Sequence, residues 1–146
     1  MMRKERKEYL KIFFPDEKEF QSAIETEEKK EQIAKFLDFK FIHNGGELTN
    51  YSPLYEYPKY MLFQQRANWG MTTISVEQMR FEYDWNWIML ALDLMMKWGS
   101  KELIEKIRDT DEQLLNELKE EIWHVNIDGA FEALCKIANQ EQLIKR

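Results

Sequence analysis

Between residues 84 and 98 the apolar side chains Trp87, Ile88, Ala91, Leu94, Met95 and Trp98 recur at spacings of three and four. That is the α-helical period, and the polar residues Asn86, Asp93 and Lys97 fall on one narrow stripe of the same helix. A helix with so thin a polar stripe is covered on most sides, which predicts a place at the centre of the domain. Asp84 stands where an N-cap acceptor belongs, and Gly99 where a left-handed residue closes a helix. The surrounding block, FEYDWNWIMLALDLMMKWGS (residues 81–100), holds three of the five tryptophans and is dense enough to raise a membrane span. Glu82, Asp84, Asn86, Asp93 and Lys97 interrupt it, whereas a span needs about 20 consecutive apolar residues.

The flanks carry their own punctuation. PDEKEFQSAIE predicts a short helix opened by Asp16 and Glu19, spaced as in a capping box. TEEKKEQIAKFLDF predicts a second, capped by Thr26, with Ile33, Phe36, Leu37 and Phe39 as its apolar side. KFIHNGGE reads as a short strand entering a turn at Asn44-Gly45-Gly46. Residues 47–70, with two prolines and four tyrosines, predict a long surface loop around one short strand near residues 60–63. Ile74, Val76, Met79 and Phe81 alternate imperfectly, as in a strand with a bulge. After the tryptophan-rich helix, Ser100 caps KELIEKIRD, and Thr110 with Gln113 forms a box before DEQLLNELKEE. IWHVNI fits a strand, and NIDGAFEALCKIANQ a closing helix with Ile127, Ala130, Phe131, Leu134, Ile137 and Ala138 on one face.

The predicted fold class is therefore α+β. A small antiparallel sheet of three to four short strands packs with a central Trp/Met-rich helix and an amphipathic C-terminal helix, after a helical N-terminal part. No linker or internal repeat divides the 146 residues, so residues 1–146 form one domain, with 1–12 a frayed or peripheral helix. With 44% hydrophobic residues the chain has enough material for one core. Its 21 basic and 27 acidic residues leave a net charge of −6. That balance argues against strong nonspecific binding to nucleic acid, which draws its affinity from neutralised phosphates. It favours partners with basic surfaces. The start, MMRKERKEYLK, lacks the apolar stretch of a secretory signal, so a cytoplasmic location is expected.

Candidate chemistry is sparse. Cys135 is the single cysteine and sits beside the apolar face of the last helix, where a passive buried thiol is expected. His43 and His124 lie far apart with no metal-binding spacing, so neither they nor Glu47 define a site, and no metal or cofactor is predicted. Asn44-Gly45-Gly46 is too short for a phosphate loop. The basic run Arg3, Lys4, Arg6, Lys7 and Lys11 is interleaved with Glu5 and Glu8, as on a solvated helix face. Two groups stand out as binding candidates. One is aromatic: Tyr51, Tyr55, Tyr57 and Tyr60 of the loop, with Trp69 and Trp85, residue types that dominate interface hot spots. The other is acidic: Asp109, Asp111 and Glu112 at the head of residues 109–121.

Three segments, IAKFLDFK (33–40), MRFEYDWNWIM (79–89) and VNIDGAFEALCKIAN (125–139), resemble in order the signature blocks of a family of short uncharacterised proteins from phages and prophages of Bacteroidota. The Trp85-x-Trp87 pair carries most of that likeness. The chain departs from the family pattern in having Glu82 where histidine is common, Leu90 where proline is common, and Asp93-Leu94 where Glu-Lys is usual. Residues 43–70 and 99–121 are also longer than usual. The resemblance implies a small phage accessory protein acting in the host cytoplasm. With the acidity and the missing catalytic set, it leads to the expectation of a non-enzymatic counter-defence protein, for example an anti-CRISPR. Such a protein would bind a host protein, such as a nucleic-acid-binding defence complex, and not a membrane. A second expectation is a small-ligand or nucleotide binder using the aromatic loop 47–70. An enzyme is the third.

Overall fold

The structure, a computed structural model, describes residues 2–58 and 72–144, with side chains of the last helix followed to residue 139. Helix α1 spans Lys4–Phe13 and α2 Glu17–Phe36. Strands β1 (Lys40–His43), β2 (Leu54–Glu56) and β3 (Thr73–Ser75) follow. Then come α3 (Trp85–Asp93), a wider π turn at Leu94–Trp98, α4 (Lys101–Arg108), α5 (Glu112–Trp123) and α6 (Ile127–Ile144). The architecture is α+β, and among the described residues the sheet is antiparallel with order β1-β2-β3. No helix among the described residues is long and apolar enough to cross a membrane.

Side-chain caps set most helix starts. The carboxylate of Asp16 accepts from Glu19 N at 3.1 Å, that of Asp84 from Asn86 N at 2.9 Å, and the Ser100 hydroxyl from Leu103 N at 3.1 Å. Each such cap contributes about 1 kcal/mol by pairing an amide that the helix leaves open. For α5 the cap falls one residue later than the spacing suggests. Asp111 accepts from Gln113 N at 3.0 Å, while the Thr110 hydroxyl turns back to donate to the Lys106 carbonyl at 2.9 Å. Thr110 thus closes α4 instead of opening α5.

Four further expectations are corrected. First, PDEKEFQSAIE and TEEKKEQIAKFLDF are one 20-residue helix, with Thr26 in its interior. Its buried stripe runs through Ile24, Glu27, Lys30, Ile33 and Ala34, so charged residues occupy the covered middle turns and disguise the continuity. Second, IWHVNI is not a strand. The apolar period of Leu114, Leu118 and Ile122 carries α5 to Trp123. A tight turn with Val125 at φ 55° follows, and Asn126 Oδ1 accepts from Gly129 N at 3.2 Å as α6 begins. Third, Gly99 is extended (φ −72°, ψ 169°), not left-handed. Glycine suits it because a Cβ there would collide with the Leu94 carbonyl and press on Leu103. Fourth, the proposed strand around 73–81 is only β3, followed by a 3₁₀ turn at Val76–Gln78. The strand expected near residues 60–63 lies outside the described residues, and β2 forms upstream of it.

The core gathers Ile33, Leu37 and Phe39 with Tyr55, Val76, Met79 and Phe81, then Ile88, Ala91, Leu94, Met95, Leu103, Leu118, Phe131, Leu134 and Ile137. The hub is α6, which packs on α5, α2 and α3. The Trp/Met-rich helix is therefore less central than its thin polar stripe suggests. The π turn shifts the residues after Asp93 off the α-helical period, leaving Met96 48% and Trp98 50% exposed. Trp87 is half-buried, edge-on to Phe81 with ring centroids 5.1 Å apart, and so less enclosed than its place on the apolar face predicts; Trp85 is also half-buried. In the sheet, Lys40 faces Glu56 and Phe41 faces Tyr55, with an irregularity before His43 pairs with Leu54. Tyr55 also pairs with Ile74 of β3.

Candidate protein-binding face

Two charge-rich regions can be compared with the expected sites. The first lies where α1 crosses α2. Arg6, in the basic run read as a solvated face, is 2% exposed. Its guanidinium Nε donates to both carboxylate oxygens of Glu27 at 3.1 Å, and Nη1 donates to the Asn50 carbonyl at 2.9 Å. One helical turn along α2, the buried Lys30 pairs with Glu82 at 2.8 Å. Further on, Tyr55 donates its hydroxyl to Glu31 at 2.8 Å. Burial first, then this hydrogen bond, pushes the Tyr55 hydroxyl well above its usual range. Arg6, Glu27 and Lys30 are buried and pair within this cluster, while Glu82 Oε1 has no hydrogen-bond partner among the described residues.

The aromatic candidates divide accordingly. Tyr55 and Tyr57 are buried in the core, Tyr57 with its ring 5.7 Å from Phe39, so neither is displayed as a loop anchor. They share the inward face because alternate residues of a strand point the same way. Tyr51 is half-buried and lines a groove with Arg6, Glu31 and Phe41. Trp85 covers the core edge. Tyr60 and Trp69 lie outside the described residues. Cys135 is buried, and its thiol is pushed up to about 12, mainly by burial and further by Glu132, against an opposing effect of Lys29. It stays protonated and is a poor nucleophile. His43 Nδ1 accepts from Gly45 N at 2.9 Å, helping to shape the turn. Among the described residues no three His, Cys, Asp or Glu side chains are grouped as metal ligands.

The second region is α5 and its leading turn. Residues 109–121 contain six acids, Asp109, Asp111, Glu112, Glu117, Glu120 and Glu121, against one base, Lys119. That local balance is −5, the same as over residues 16–28, where six acids meet Lys18. Asp109, Asp111 and Glu112 come together at the head of the helix, all exposed. Buried Leu118 and half-buried Leu114, Leu115 and Ile122 turn toward the core, which leaves Glu112, Asn116, Glu120 and Trp123 outward. Those four follow one another at spacings of four, four and three, so they form one stripe along the helix. Trp123 ends it 82% exposed, next to Val125 at 73%. Glu117 reaches Lys136 at 3.5 Å and Glu121 accepts from Asn126 at 2.7 Å, both at the stripe's edge.

Trp123 and Val125 were hidden from sequence reading by the strand assigned to IWHVNI. The signal was present: continuing the Leu114–Leu118–Ile122 period by one residue throws Trp123 onto the polar side. Compared with protein-family models, curated proteins and solved structures, the chain matches none.

Proposed function

We propose that this is a non-catalytic binding protein that covers a basic surface of a partner protein with the outer face of α5. The observation that carries the reading is the exposed acidic head of α5, Asp109, Asp111 and Glu112, on a helix that ends in a tryptophan 82% exposed. Exposed acids steer a basic partner and set the association rate, while a tryptophan supplies the buried area that slows dissociation. At 82% exposed, Trp123 adds little to folding, and most of its area is free for association. The resemblance of the three sequence blocks to phage-borne proteins supports a host partner. A nucleic-acid-handling protein, such as a defence complex, has the phosphate-binding basic surface that this face complements. In that setting the protein acts as a counter-defence factor, by occlusion.

The test is capture of partners from a Bacteroidota lysate by the wild-type chain, by Glu112→Lys/Glu120→Lys and by Trp123→Ala. A basic protein held by the wild type, eluted by moderate salt and lost from both variants, is the expected result. An identical set of proteins on all three baits defeats the proposal. The aromatic-loop ligand reading has less support, because Tyr55 and Tyr57 are enclosed in the core.

A further inference from the structure

Beside the acidic stripe lies a groove of about 360 Å³ between the π turn, α4 and the head of α5. Met95, Met96, Ile104, Ile107 and Leu115 give it an apolar lining, and Arg108, Thr110 and Glu112 its polar edge. Glu112 belongs to both groove and stripe. Met96 belongs to the π turn and is 48% exposed, and Thr110, in the turn between α4 and α5, lines the groove as well. Its charged lining is Arg108 and Glu112; the exposed Asp109 and Asp111 flank Thr110 on the α5 side, and the exposed Lys97 follows Met96 on the π-turn side.

Resting on the proposed function of α5, we infer that the partner's docking element is a basic amphipathic helix, whose apolar ridge enters this groove while its lysines or arginines lie along Glu112 and Glu120. Three features on the molecule select this occupant. Five of the eight lining residues are apolar, which a nucleic-acid-binding loop of charged residues alone would leave unfilled. Methionine is unbranched and polarizable, so Met96 adapts to the side chains of a ridge without a preformed matching pocket. On the α5 side the exposed Asp109, Asp111, Glu112 and Glu120 complement positive charge flanking that ridge. From Glu112 to Trp123 the stripe rises roughly 16 Å, at about 1.5 Å per residue, which an ordinary helix of three turns matches. A partner helix therefore meets apolar anchors at both ends, the groove at one and Trp123 at the other, with Asn116, Lys119 and Glu120 exposed between.

The probes are two fluorescently labelled synthetic peptides of leucine and lysine, about four helical turns long. One segregates leucine to a single face; the other has the same composition in scrambled order. Anisotropy titrations at physiological salt are expected to show the segregated peptide binding about tenfold or more tightly than the scrambled one, the gain from burying a ridge side chain. Met96→Asp is expected to remove that preference without lowering the melting temperature, because Met96 already faces solvent. Ile104→Asp, deeper in the groove, should do the same if it folds, and Met96→Leu should restore binding. Equal binding of the two peptides, both weakened by Glu112→Lys/Glu120→Lys, overturns the amphipathic occupant while the charge-based function stands. Binding indifferent to Glu112→Lys/Glu120→Lys overturns both.

Discussion

Helices α2 and α5 are both rich in charge, and they use it in opposite ways. In α2, Glu27 and Lys30 point inward and meet Arg6 and Glu82; in α5, Glu112 and Glu120 point outward and meet no ion-pair partner among the described residues. The difference follows from what the neighbouring elements bring. Helix α1 lays Arg6 over α2, and the turn before α3 supplies Glu82, so each charge leaving water gains an opposite one. Burial of an unpaired charge costs several kcal/mol, so the charges of α2 are tolerated only as pairs. Among the described residues no element lays an opposite charge over Glu112 or Glu120, which stay exposed. Charge density along a helix is thus a poor guide to function until its partners are known.

The largest expected effect breaks the paired side. Glu27→Ala leaves the Arg6 guanidinium buried with only the Asn50 carbonyl and distant Glu77, at 3.9 Å, to satisfy it. Loss of one partner of a buried pair costs about 3–5 kcal/mol, which urea unfolding should register. A loss under about 1 kcal/mol would mean that α1 simply swings away, and that Arg6 is no part of the core. Arg6→Met with Glu27→Leu sharpens the point, since replacing both charges by apolar groups should recover most of the loss.

Next in size is Tyr55→Phe, which removes the hydroxyl donated to Glu31 and should cost about 1–2 kcal/mol. A neutral result would show that Glu31 is satisfied by water, and the α2–sheet contact would then be apolar only.

Alkaline pH probes the same enclosed region more gently. Cys135, with an ordinary value of 9.0, is pushed up to about 12, and Tyr55 and Tyr57 are raised above 10.0, each chiefly by burial. Folded pKa values above the unfolded ones mean that stability is complete below pH 9. It is lost as the unfolded chain deprotonates, first through Cys135 between pH 9 and 12. Unfolding midpoints should therefore fall above pH 9, and fall less steeply in Cys135→Ala. Parallel pH profiles for the two proteins would show that the thiol reaches solvent.

The smallest stability effect belongs to the other side of the comparison. Glu112→Lys/Glu120→Lys should change unfolding free energy by no more than about 1 kcal/mol per site, because neither acid has an ion-pair partner among the described residues and Glu112 loses only its favourable place in the first turn of α5. A large destabilisation would place these acids among the paired charges and remove the reason to assign them to a partner. Binding to basic peptides should meanwhile fall steeply, and in the wild type should weaken with salt.

What the sequence determined by itself was local. Asp16, Asp84 and Ser100 marked helix starts because a cap needs only a side-chain oxygen two or three residues from an open amide. Ile33, Phe36 and Leu37, and the face of Ala130, Phe131, Leu134 and Ile137, declared themselves because apolar period and burial coincide there. The α+β class and a small antiparallel sheet followed from those signals. The acids at 109–112 were legible as an exposed helix head; the tryptophan that completes their face was not, for Ile122 and Trp123 side by side look like a strand until Leu118 packs beneath them. Only the tertiary structure could join the two halves of α2, because Arg6 lies 21 residues from Glu27 in the chain and the buried stripe reads as polar until that pair forms. It likewise buried Tyr55 and Tyr57, by laying β2 between two strands, and exposed Met96, through one π turn. Each of these depends on groups brought close by folding, and neither period nor propensity carries the identity of a distant neighbour.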